Sequence, residues 1–129
     1  LTGVRVLLVD DEADARELLA AFLRASGAEV LAVGSAADVR PAMDRFDPTV
    51  LVSDIAMPGQ DGYTLIRELR ASGHHIPAVA VTAYGRSEDR DRALLAGFQS
   101  HLAKPVKPDD LVNVVAVLAG REPSSAAAG

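Results

Sequence analysis

Short apolar runs and amphipathic segments alternate along this chain, and few folds accept that pattern. Runs at Val4–Val9, Glu29–Val33, Thr49–Ser53, Ala78–Thr82 and Ser100–Ala103 have the length and β-branched content of strands. Segments of helical periodicity follow them, near Asp14–Ala25, Ala36–Arg45, Thr64–Ala71, Glu88–Ala96 and Pro108–Leu118. In the first of these, Ala15, Leu18, Leu19, Phe22 and Leu23 fall on one helix face. Repeated strand–helix units call for a parallel sheet covered by helices on both faces, with right-handed crossovers. The punctuation agrees: Gly27 and Gly73 stand where helices close, Ser35 where the second helix needs a cap, and Pro77 where a strand opens. At 129 residues the chain makes one domain with a real core. We assign residues 1–120 to that domain and 121–129, which are small and polar without apolar period, to a disordered tail or linker.

Composition narrows the function. A net charge of −5 argues against nucleic acid as a direct partner, because phosphate binding needs a basic surface. The absence of cysteine excludes disulfides, thiol catalysis and zinc-thiolate sites, and fits a reducing compartment. No apolar run approaches the ~20 residues of a membrane helix, and no signal peptide is visible, so a cytoplasmic setting is expected. The first residues, "LTGVRV", lack a methionine and read as a segment cut from a longer protein.

In open parallel sheets, ligands bind beyond the carboxyl ends of the strands. The first strand ends in Asp10 and Asp11, the third in Asp54, the fourth in Thr82, and the fifth in Lys104 followed by Pro105. The second offers only Gly34 and Ser35. Carboxylates gathered on one edge repel unless a cation joins them. Mg²⁺ suits that donor set, because it usually takes one or two carboxylates, some waters and the oxygens of a phosphate. A carboxylate can itself be the nucleophile, forming an aspartyl phosphate, while a lysine and a hydroxyl hold the transferring oxygens.

Each residue also has an ordinary reading. Asp10 and Asp11 would serve as a helix cap and dipole partner, and Pro58, Gly59, Asp61 and Gly62 as turn residues. Thr82 is a natural β-former, and Lys104 a natural edge lysine. None of these readings accounts for all of them meeting at one sheet edge. His74 and His75 fall in a helix–strand loop and receive no role, and Glu88 to Arg92 read as a solvated helical face.

Taken in order, "LLVDDE", "SDIAMPGQDGY", "VTAYG" and "HLAKPV" resemble the receiver domain of two-component response regulators, from about Val4 to Leu118. The resemblance implies a flavodoxin-like doubly wound sheet of five parallel strands in the order 2-1-3-4-5. It implies a phosphoryl-accepting switch rather than an enzyme turning over a free substrate, fed by a histidine kinase or phosphotransfer protein. Carried over by motif, Asp54 is the phosphoacceptor, Asp11 a direct Mg²⁺ ligand, Asp10 a ligand through water, and Ala56 a donor of its backbone carbonyl to the metal. Thr82 would bond the phosphoryl group and Lys104 would pair with it, while Pro105 would follow a cis peptide in a tight turn.

His101 departs from the pattern, because free-standing receivers usually carry Tyr or Phe there as a rotameric switch. Histidine looks more like the receiver of a hybrid sensor histidine kinase. Ala56 and Tyr84 occupy variable positions that shape water access to the acyl phosphate. An aspartate-nucleophile phosphatase is the competing enzyme class, disfavoured because the position of its general acid is Ala56. A nucleotide- or flavin-binding module lacks its glycine-rich loop. A pseudo-receiver acting only by docking would have lost part of the acid–lysine set. The fourth helix, with only Ala93, Leu94, Leu95 and Ala96 as apolar grip, is expected to be loosely held. The fifth carries a stripe of Leu111, Val114, Val115 and Leu118, with Val112 and Val117 off it. A face bounded by these helices is the expected dock for a neighbouring domain or a second copy.

Overall fold

The fold was analysed as a computed structural model that describes residues 1–83 and 85–121. Five strands, β1 (Arg5–Val9), β2 (Glu29–Val33), β3 (Val50–Asp54), β4 (Ala78–Thr82) and β5 (Ser100–Ala103), form one parallel sheet in the order β2-β1-β3-β4-β5. Between and after them run α1 (Ala13–Ala25), α2 (Val39–Phe46), α3 (Gly62–Ala71), α4 (Ser87–Ala96) and α5 (Pro108–Leu118). This is the doubly wound flavodoxin-like architecture expected from the sequence.

Strand pleating sorts the core into two layers, because successive side chains point to opposite faces. Val6, Leu8, Val50, Val52, Val79 and Val81 pack beneath α1 and α5. Leu7, Val9, Leu51, Ala78 and Ala80 pack beneath α2, α3 and α4. β1, β3 and β4 are apolar on both faces, as central parallel strands must be.

Several local expectations are corrected. The second helix opens with a 3₁₀ turn at Ala36–Asp38 and becomes α-helical only at Val39. Ser35 does not cap it with its side chain, since its hydroxyl donates to Asp38 Oδ2 at 3.0 Å. β3 runs one residue later than the apolar run suggests, so Asp54 is its last residue. On α4 only Ala93 and Ala96 are buried, whereas Leu94 and Leu95 are 41% and 89% exposed. On α5, Ala116 is buried with Leu111 and Val115, while Val114 and Leu118 are only half-buried and Val117 is exposed. Arg121 still donates its N–H to the Ala116 carbonyl at 2.7 Å. Residues 122–129 of the tail, and Tyr84, lie outside the described residues.

Candidate functional site

The strand ends meet at one edge, as their parallel order requires. Asp10, directly after β1, is 1% exposed, and Asp54, closing the central β3, is 4% exposed. Asp11 stands in the turn that follows Asp10 and is exposed. Carboxylate oxygens of Asp10, Asp11 and Asp54 all lie within 4.8 Å of one another.

Neither acid of the first pair caps α1 through its side chain. Glu12 occupies the cap position without a capping bond, and its N–H instead donates to Asp10 Oδ1 at 2.9 Å. The other oxygen, Asp10 Oδ2, is buried with no hydrogen-bond partner. A buried carboxylate oxygen left unmatched is costly unless something else meets it. An all-oxygen donor set with one orphaned oxygen inside it fits a hard divalent cation with its waters, and Mg²⁺ in particular.

Lys104, one step past β5, places Nζ 3.3 Å from Asp54 Oδ1. Two influences push the Asp54 carboxyl above its ordinary value: burial first, then the negative charge of Asp10. Lys104 opposes them without cancelling them. The fourth and fifth strands meet again on the opposite side of the sheet, where Thr82 Oγ1 lies 2.6 Å from His101 Nε2. Thr82 is buried and His101 half-buried. The Thr82 carbonyl accepts from Lys104 N at 2.8 Å, and the Lys104–Pro105 peptide is cis. Ala56 is exposed in the loop after β3.

Sequence reasoning missed two supporting residues. Arg16, in the first turns of α1, donates from Nη1 to the Asp10 carbonyl at 2.8 Å. It reads in sequence as one more polar position of an amphipathic helix. Gly62 reads as a turn glycine, but it begins α3 and is there for space. A Cβ would stand 2.6 Å from the Asp54 carbonyl oxygen and 2.8 Å from Ile55 Cδ1. Its N–H donates to the Ile55 carbonyl at 2.9 Å, closing the loop against the end of β3. Asp61 caps the same helix, accepting from Thr64 N at 2.8 Å, and that bond holds its carboxyl below the ordinary range.

Residues 6–116 match the response regulator receiver domain family. The chain belongs to that family. This receiver is 43% identical to an uncharacterized 14.6 kDa protein of Leptolyngbya boryana, over 89% of each chain. It is 38% identical to response regulator Rre1 of Synechocystis, covering 98% of this chain and 56% of the relative. It is also 35% identical to the sensor histidine kinase RcsC of Salmonella typhi, covering 90% of this chain but only 12% of that protein. Among solved structures, a putative response regulator from Chloroflexus aurantiacus superimposes with a TM-score of 0.85 at 32% identity, covering 92% of this chain and 98% of its own. Receiver domains are signalling switches that bind Mg²⁺ at an acidic pocket and interact with histidine kinases or phosphotransfer proteins. In this chain Asp10, Asp11 and Asp54 form an acidic cluster.

Proposed function

We propose that this receiver domain is a phosphoryl-accepting switch in which Asp54 takes a phosphoryl group from a phosphohistidine on a histidine kinase or phosphotransfer protein. The observation that carries the reading is a buried carboxylate at the end of the central strand. The oxygens of two other acids lie within 4.8 Å of it and an ammonium 3.3 Å away. An Asp54 oxygen attacks phosphorus and the P–N bond to the donor imidazole breaks. Its electron pair stays on the ring nitrogen, leaving an acyl phosphate on Asp54. Lys104 exchanges the Asp54 carboxylate for a phosphoryl oxygen, and the Thr82 hydroxyl leaves His101 to bond another. Asp11, Asp54 and the Ala56 carbonyl would hold Mg²⁺ directly, and Asp10 would hold it through water. When bound, the ion neutralises charge on the transferring oxygens. The domain in this reading promotes its own phosphorylation and dephosphorylation and turns over no free substrate.

A groove of about 410 Å³ beside the site supports a helical phosphodonor. It is lined by Ala15, Leu18, Leu19, Pro105, Val106 and Lys104, and Leu18 is 54% exposed there. An amphipathic helix carrying the phosphohistidine would cover such a surface. On the other side, the exposed Leu95 on α4 and Val117 on α5 support an output face for a neighbouring domain or second copy.

His101 and the similarity to RcsC favour a receiver segment of a hybrid sensor kinase, at work in the cytoplasm. The length of the native gene product tests this reading.

The central claim is tested with a small phosphodonor, Mg²⁺ and mass spectrometry. One phosphoryl mass should appear, be removed by hydroxylamine, and be absent from Asp54→Ala and from wild type in excess chelator. Labelling of Asp54→Ala equal to wild type would refute it.

A further inference from the structure

We infer that Arg16 is a positioning residue for the acidic pocket, setting the orientation of Asp10 and Asp11 together by holding the one peptide plane that joins them. The inference rests on the Mg²⁺ reading above and concerns a residue outside the four strand-end motifs.

The β1–β2 ladder ends where Asp10 N donates to the Val33 carbonyl at 3.2 Å. Past that point the Asp10 carbonyl is met not by a strand N–H but by Arg16 Nη1, at 2.8 Å. That carbonyl belongs to the Asp10–Asp11 peptide, so a donor fixed against it fixes the plane from which both acid residues depart. Arg16 can serve because its own backbone is committed: its N–H donates to the Glu12 carbonyl at 2.9 Å, in the first turn of α1. Arg16 is half-buried, and its guanidinium lies against the end of β2, where a Cβ built on Gly34 would lie 3.1 Å from Nη1. Gly34 does not have a left-handed backbone, so its missing side chain leaves room for the guanidinium rather than for a turn. The Asp10 carboxylate is in turn oriented by Glu12 N, which leaves the buried Oδ2 for the metal's hydration shell. Partners that orient a ligand in this way commonly contribute roughly 10- to 100-fold to metal affinity.

Two influences of Arg16 on Mg²⁺ have opposite signs, which makes the test decisive. A cation beside the acids repels the metal, so removing its charge alone would tighten binding. Removing a clamp that holds the acids in place would weaken it. The measurements are a calorimetric Mg²⁺ titration of the unphosphorylated chain and the amide shift of Glu12 in the metal-free state.

Arg16→Met, which keeps a long apolar stem, should weaken Mg²⁺ binding by roughly tenfold and move the Glu12 amide before any metal is added. Arg16→Lys, which keeps one donor, should recover part of the affinity. Gly34→Ala, which presses on the guanidinium from the opposite side, should weaken binding in a chain that keeps Arg16. Unchanged or tighter Mg²⁺ binding in Arg16→Met with an unmoved Glu12 amide would overturn the inference, as would Arg16→Lys no better than Arg16→Met. A wild-type chain that binds no Mg²⁺ would overturn the metal reading instead, and the Glu12 shift would still report on the clamp.

Discussion

Asp54 carries its charge where the fold resists it. Burial and the neighbouring Asp10 raise its carboxyl above the ordinary 3.8, and Lys104 only partly opposes them. The folded chain therefore holds the Asp54 proton more tightly than the unfolded chain does. This contribution to stability is fully present below pH 3.8 and is lost as pH rises through the elevated folded value. At neutral pH the ionised carboxylate weighs against folding until a cation joins it. Asp54→Asn should thus melt a few degrees above wild type in chelator near neutral pH, the scale of about 1 kcal/mol for a domain of this size. The gap should close on acidification, and Mg²⁺ should narrow it by stabilising wild type alone. A variant melting at or below wild type at neutral pH, or a gap that widens in acid, would defeat this account. The residues of this conflict were legible in sequence, because a parallel sheet sends every strand's last residue to one edge. Arg16 and Gly62 were not. A donor to a main-chain carbonyl and a space left for a loop are properties of contacts, and the chain carries no local pattern for either.

At the scale of elements, α4 departs most from ordinary packing. Its apolar contribution to the core is Ala93 and Ala96, and its leucines face outward. Two arginines join it to α3 instead. From α3, Arg70 donates from Nε and Nη2 to the Gly97 carbonyl at 3.1 and 2.8 Å, and also reaches His74 O and Gln99 Oε1. Gln99 Oε1 accepts in turn from Ala78 N at 2.7 Å, tying the end of α4 to the starts of β4 and β5. From α4, Arg92 lies 4.3 Å from the ring centroid of Tyr63, a contact backed by no hydrogen-bond chain among the described residues. We expect α4 to pivot about Gly97, with the Arg92–Tyr63 contact as the releasable part. Arg92→Ala should speed amide exchange across α4 roughly two- to fivefold, the worth of an exposed cation–π contact, and leave α3 unchanged. Arg70→Gln should loosen the end of α4 and the starts of β4 and β5 together. Exchange in α4 at the wild-type rate in Arg92→Ala would rule out the contact as a restraint. The sequence pointed to a short apolar grip on the fourth helix, of which only Ala93 and Ala96 reach the core. It could not foretell which side of that grip would face the sheet, because four consecutive apolar residues reach every side of a helix turn.

Across the whole molecule, the pleat of one sheet divides the side chains at the strand ends. Asp54 and Lys104 follow the pleat of the α1–α5 layer, whereas Thr82 and His101 meet on the side of α2, α3 and α4. The alternation of strands and helices was legible because the apolar runs are punctuated, whereas the order 2-1-3-4-5 followed from the receiver resemblance. The pairing of Thr82 with His101 was not legible, because it depends on the β4–β5 register, which sets Ala80 opposite His101 and brings Thr82 within diagonal reach. The Arg92 contact has a further consequence, in the optics of the chain. With two tyrosines and no tryptophan, the protein's near-ultraviolet emission is tyrosine emission alone, unmasked by energy transfer to indole. One emitter, Tyr63, sits beneath a guanidinium at the start of α3, and the other, Tyr84, follows Thr82 in the chain. Tyrosine emission should therefore report on the switch. In Tyr84→Phe the remaining emission belongs to Tyr63, and it should change when Mg²⁺ and a small phosphodonor load Asp54. Constant emission from a chain shown by mass to be loaded would mean that the Arg92–Tyr63 contact stays closed when the switch is thrown.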